Sequence, residues 1–101
     1  MLALLAVATA LSGCAQTPTA RWVQARETVT TTQDVTVDLY GTGAIDDADL
    51  KAVAPWIIAA RTEVNTAYAY LPDGGPTYDK LLLRVADYIA MVRARLQEAN
   101  P

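Results

Sequence analysis

Five residues, Pro72-Asp73-Gly74-Gly75-Pro76, do most to limit how this chain can fold. Two prolines without backbone N–H donors flank two glycines that accept left-handed backbone, so this stretch is a turn and the runs on either side are separate elements. Downstream, Tyr78, Leu82, Val85, Ile89, Val92 and Leu96 recur at a 3,4 spacing, supplemented by Leu81 and Tyr88. That period predicts a helix over residues 76–98, opened by Pro76 and ending in basic residues, Arg93 and Arg95, that suit the negative end of its dipole. Upstream, Leu50, Val53, Ile57, Ala60, Val64, Ala67 and Leu71 form a second stripe, predicting a helix over residues 47–71. Asp46 is placed to cap its N-terminus, with Asp47 and Asp49 in the favoured first turn. Pro55 lies inside this stripe, where it removes a backbone hydrogen bond and crowds the preceding turn, so the helix is expected to kink or break near Val53 and Ala54.

A third stripe, Trp22, Ala25, Val29, Thr32, Thr36 and Leu39, predicts a helix over residues 19–40, with Pro18 and Thr19 suited to its first turn. The segment also carries the opposite signal. Glu27-Thr28-Val29-Thr30-Thr31-Thr32 and Val35-Thr36-Val37 are β-branched and partly alternating, as in a strand. Helix is the favoured reading, because the sequence offers no second strand to pair with it. Gly41-Thr42-Gly43 ends the element, with Gly41 as the expected C-cap glycine. Three amphipathic helices joined by tight turns imply an all-α protein, a small antiparallel three-helix bundle with a kinked second helix. Each helix would be about 30–35 Å long.

Before the first stripe lies an apolar run. Residues 2–11 are all Leu, Ala, Val or Thr, the length of a signal-peptide core and too short for a bilayer span, which takes about 20 such residues. It ends in Leu11-Ser12-Gly13-Cys14, and Cys14 is the only cysteine. No Lys or Arg precedes Cys14, so the amino terminus is the segment's only positive charge. At all four positions the sequence resembles the lipobox of bacterial lipoproteins. The resemblance implies cleavage after Gly13, lipid on the Cys14 sulfur and attachment to the membrane through it. Small residues let a peptidase close around the cut, and several acyl chains anchor durably where one does not. The second mature residue would be Ala15, not the Asp that marks inner-membrane retention in enterobacterial lipoproteins, which implies the outer membrane, facing the periplasm. The expected organisation is a signal peptide over 1–13, a tether over 14–19 and a bundle over 20–99.

Fewer than 90 residues follow the expected cleavage point, enough for one domain that buries about 60–65% of its unfolded surface. The formal charge is −3, with no basic stripe to follow a phosphate backbone, so nucleic acid is not an expected partner. Histidine is absent and the one thiol is expected to be acylated, which leaves no triad, Cys/His dyad or ordinary zinc site. No cofactor and no metal is expected. A calcium loop counted from Asp46 would put Lys51 at its glycine position and Ile57 at its bidentate acid, so capping is the better reading of Asp46, Asp47 and Asp49. Those acids with Glu63 lack the cleft that a glycosidase carboxylate pair needs. The arginines 61, 84, 93 and 95 read as solvated decoration. Aromatic residues dominate small cores; among them Trp22, Trp56 and Tyr70 are the candidates for contact with a protein partner.

Gly43-Ala44-Ile45-Asp46-Asp47, the Pro55 step and Ala59-Ala60-Arg61 together are similar to the small helical lipoproteins encoded in tailed-phage and prophage genomes, although the Thr-rich first helix here departs from their Ala-rich habit. That resemblance implies a setting and no defined activity. The expectation is a non-enzymatic, membrane-anchored helical module that binds or scaffolds another envelope component, with no oligomeric state implied. The alternative is a phage lysis or superinfection-exclusion factor at the outer membrane; outer spanin subunits, however, are often extended and proline-rich, unlike a folded bundle.

Overall fold

The computed structural model describes residues 16–100; Leu11, Ser12, Gly13 and Cys14, with the rest of the expected signal peptide, lie outside the described residues. Three helices follow in order: α1 (Pro18–Gly41), α2 (Asp47–Ala67) and α3 (Pro76–Ala99), with one 3₁₀ turn (Tyr68–Tyr70) after α2. No strand occurs among the described residues. None of these helices is long and apolar enough to cross a membrane.

The threonine-rich segment is helical throughout. β-Branched side chains cost χ1 freedom in a helix, but a Thr hydroxyl can bond the carbonyl one turn back. Thr28 donates to the Gln24 carbonyl at 2.9 Å and the buried Thr36 to the Thr32 carbonyl at 2.8 Å. Val29, Thr32 and Thr36 are buried, while Trp22, Ala25 and Leu39 pack partly buried against the core, so the expected stripe of α1 faces inward.

The helix takes in the last two residues of the expected tether, Pro18 and Thr19, because Thr17 accepts the Ala20 N–H at 3.1 Å and Pro18 fills the first turn. Its end also differs from expectation. Gly41 is still helical; Thr42 is the C-cap, and Gly43, at φ 80°, makes the left-handed step.

α2 begins with a reciprocal cap. The Asp49 N–H donates to the Asp46 carboxylate at 2.9 Å, and the Asp46 N–H donates to the Asp49 carboxylate at 3.2 Å. The helix continues through Pro55, so it does not break there; without an N–H, Pro55 leaves the Lys51 carbonyl with no helical donor. It ends at Ala67, short of the expected Leu71. Leu71 precedes Pro72 and is extended, at φ −83° and ψ 148°, since a residue before proline is pushed out of the helical region. The Leu71–Pro72 peptide bond is cis.

The core forms three stacked layers. In the middle, Val29 of α1 meets Ala60 and Val64 of α2 and Val85 and Ile89 of α3. One end joins the start of α1 to the end of α2 and the start of α3, through Trp22, Ala67, Leu71, Tyr78 and Leu81. The opposite end joins Leu39, Ile45, Val53, Ile57, Val92 and Leu96. The order of these layers makes α2 antiparallel to both α1 and α3, an up-down-up bundle.

Candidate functional site

The start of α1 is locked to the α2–α3 turn. The Tyr78 hydroxyl, on a fully buried ring, donates to the Pro18 carbonyl. Gly74, at φ 76°, lies directly beneath the Pro18 ring; a Cβ there would sit 3.1 Å from Pro18 Cγ. Arg21 bonds Asp79 of α3 at 2.9 Å and places its guanidinium 5.5 Å from the centre of the Tyr78 ring. Burial raises the Tyr78 hydroxyl above the ordinary tyrosine range, so it remains a donor throughout the neutral range. The first helical turn is thus held by chemistry 56 to 60 residues away in sequence.

Of the three partner-contact candidates, two share this end. Trp22 donates its indole N–H to the Val64 carbonyl at 2.8 Å and stacks obliquely on Tyr68, with ring centres 5.2 Å apart. Half-buried, it also carries the Arg26 guanidinium 5.7 Å from its ring centre, and it serves the core as a cross-helix bolt. Tyr70 is exposed on the 3₁₀ turn, beside the more open Tyr68. Trp56, also half-buried, packs against the opposite layer. The three therefore do not converge on one surface.

The acidic cluster is internally satisfied. Asp46 and Asp49 cap α2 and each other, Asp47 accepts the Tyr40 hydroxyl, and Arg95 donates to Asp49 through Nε at 3.2 Å and Nη2 at 3.1 Å. The Asp46 backbone N–H, ahead of the Arg95 guanidinium, holds Asp49 below the usual aspartate range. The same Tyr40–Asp47 bond lifts the Tyr40 hydroxyl. Among the described residues no three acidic, histidine or cysteine side chains converge as metal ligands. Glu63 stands apart from the cluster, with Oε2 buried, accepting no hydrogen bond and 3.7 Å from Arg84.

The surface feature that sequence reasoning missed is a groove of about 180 Å³ between α1 and α2. Its apolar half is formed by Val37, Leu50, Ala54 and Ile58, and Val37 and Ile58 are 58% and 62% exposed. Arg61 donates to Gln33 at 3.2 Å across it. Beyond that bridge the cleft turns polar, with Arg26, Thr30, Asp34 and Asn65. The available signal was the residue left over: Ile58 and Val37 are large apolar side chains that fit neither helical stripe. An open groove that is apolar at one end and charged at the other is suited to holding a side chain or short segment of another protein. Asp34 is the one carboxylate among its lining residues. In comparisons with protein-family models, curated proteins and solved structures, nothing matches this chain.

Proposed function

We propose that this chain is a membrane-anchored, non-enzymatic lipoprotein whose three-helix domain binds or scaffolds another protein of the cell envelope. The observation that carries this reading is Leu11-Ser12-Gly13-Cys14 at the end of an apolar run of signal-peptide length. Lipid on Cys14 would hold the domain at the outer membrane, on its periplasmic side. The phage or prophage setting rests on the short motifs between Gly43 and Arg61 alone. Support for a binding role comes from the domain's surface, where the α1–α2 groove joins the exposed apolar side chains of Val37 and Ile58 to a polar, charged cleft.

Intact-mass spectrometry of protein extracted from membranes tests the anchor. A mass equal to residues from Cys14 onward plus acyl chains is expected; residues 1–13 still attached and a free thiol would overturn it. Capture from solubilised membranes with the acylated protein as bait tests the module. Recovery of one specific envelope protein is expected, and an unpartnered monomer under every condition would refute it.

A further inference from the structure

We infer that the domain meets the lipid headgroup layer through its tethered end, with Tyr68 and Tyr70 as the contacting side chains. This rests on the anchored reading above and specifies which surface of the domain the bilayer covers.

α1 is capped by Thr17 and pinned at Pro18 by Tyr78 and Gly74. Cys14 is three peptide steps from Thr17, which span about 11 Å at most, while the headgroup layer on each side of a bilayer is about 5–8 Å deep. Acyl chains on Cys14 therefore bring the start of α1 to the headgroups, along with whatever the fold has fastened beside it.

What is fastened there is the 3₁₀ turn. Tyr68 stacks on Trp22, one turn into α1, and the Tyr70 carbonyl accepts the N–H of Gly74, whose backbone lies against Pro18. Tyr68 is 62% and Tyr70 38% exposed. Tyrosine, with an apolar ring and a polar tip, is a favoured residue where hydrocarbon gives way to water.

The two ends of the domain also differ in charge. Divided at the middle layer, the half of the domain nearest Cys14 holds five acidic and five basic residues, whereas the far half holds six acidic and three basic. The whole formal charge of −3 thus resides at the far end, in Asp34, Asp38, Asp46, Asp47, Asp49 and Glu98. An anionic phospholipid surface repels that end and is indifferent to the tethered one.

The tyrosines provide their own control. Tyr40 is 42% exposed, close to Tyr70, but lies at the far end of α1. The full-length acylated protein, with its mass verified, is labelled with ring-fluorinated tyrosine and placed in vesicles of phosphatidylethanolamine with one quarter phosphatidylglycerol, doped with a gadolinium-chelate headgroup lipid. Fluorine resonances are assigned by single Tyr→Phe substitutions. Several-fold greater broadening of Tyr68 and Tyr70 than of Tyr40 is expected. Equal broadening, or greater broadening of Tyr40, on acylated protein overturns the inference and leaves the anchor standing; a bare Cys14 thiol in the mass spectrum overturns both. In acylated Y68S/Y70S, the amides of Leu71, Asp73, Gly74 and Gly75 should lose a measurable part of their excess broadening, the remainder being set by the tether. If they retain all of it, the tether alone sets the orientation and the tyrosines have no part in it.

Discussion

Gly74 shows how much one residue decides here. It needs a left-handed backbone, at φ 76°, and it must also have no side chain, because Pro18 is packed against it. Gly74→Ala combines the roughly 1–2 kcal/mol of a left-handed non-glycine residue with a contact that has to be relieved by moving the start of α1. In thermal denaturation this variant should melt well below the parent, while Gly43→Ala, at a similar φ with open space around it, should show the backbone cost alone. The turn at Gly74 was legible from its neighbours in sequence. Its contact with Pro18 was not, since local spacing carries no information about a partner 56 residues away.

Asp49 ties stability to pH. Its carboxyl is held below the ordinary aspartate value, about 3.9, first by the Asp46 N–H and then by Arg95. A depressed folded pKa adds stability that is fully present above the unfolded value and lost as pH falls through the folded one. Melting temperature measured from pH 6 downward should therefore fall more steeply below about pH 4 in the parent than in Asp49→Asn.

Among the elements, α2 and α3 were nearly complete in the sequence, because their apolar stripes are regular and their starts carry an Asp cap and an N1 proline. α1 was ambiguous for a physical reason. Its threonines favour a strand by side-chain shape, and the hydroxyl bonds back to the preceding turn that reconcile them with a helix become visible only once the helix exists. The same Pro55 that signalled an interruption sits in an unbroken helix, exposed and one donor short. Pro55→Ala would restore the N–H to the Lys51 carbonyl, against a penalty for proline in a helix interior of about 3 kcal/mol that loss of unfolded-chain stiffness partly offsets. A net gain of about 2 kcal/mol is expected, read as a higher denaturant midpoint with unchanged slope. An unchanged or lower midpoint would mean that α2 already accommodates the proline without cost.

At the scale of the molecule, the stacking of three layers followed from antiparallel order, whereas the groove between α1 and α2 did not. Stripes identify what faces inward; they leave unassigned the apolar residues that two neighbouring helices bring together outside the core, here Val37 and Ile58. Ile58 is exposed and belongs to none of the core layers, so the effect of Ile58→Asp on stability should stay within about 0.5 kcal/mol. On the proposed function it should abolish recovery of the envelope partner in membrane capture. Undiminished recovery would move the docking surface elsewhere.

Because the count of antiparallel helices is odd, the chain leaves the bundle at the pole opposite the one it entered. Twenty-four residues of α3 rise about 36 Å. On the proposed anchor at Cys14, the end of α3 would consequently be held about that distance from the bilayer, with the domain acting as a fixed-length spacer.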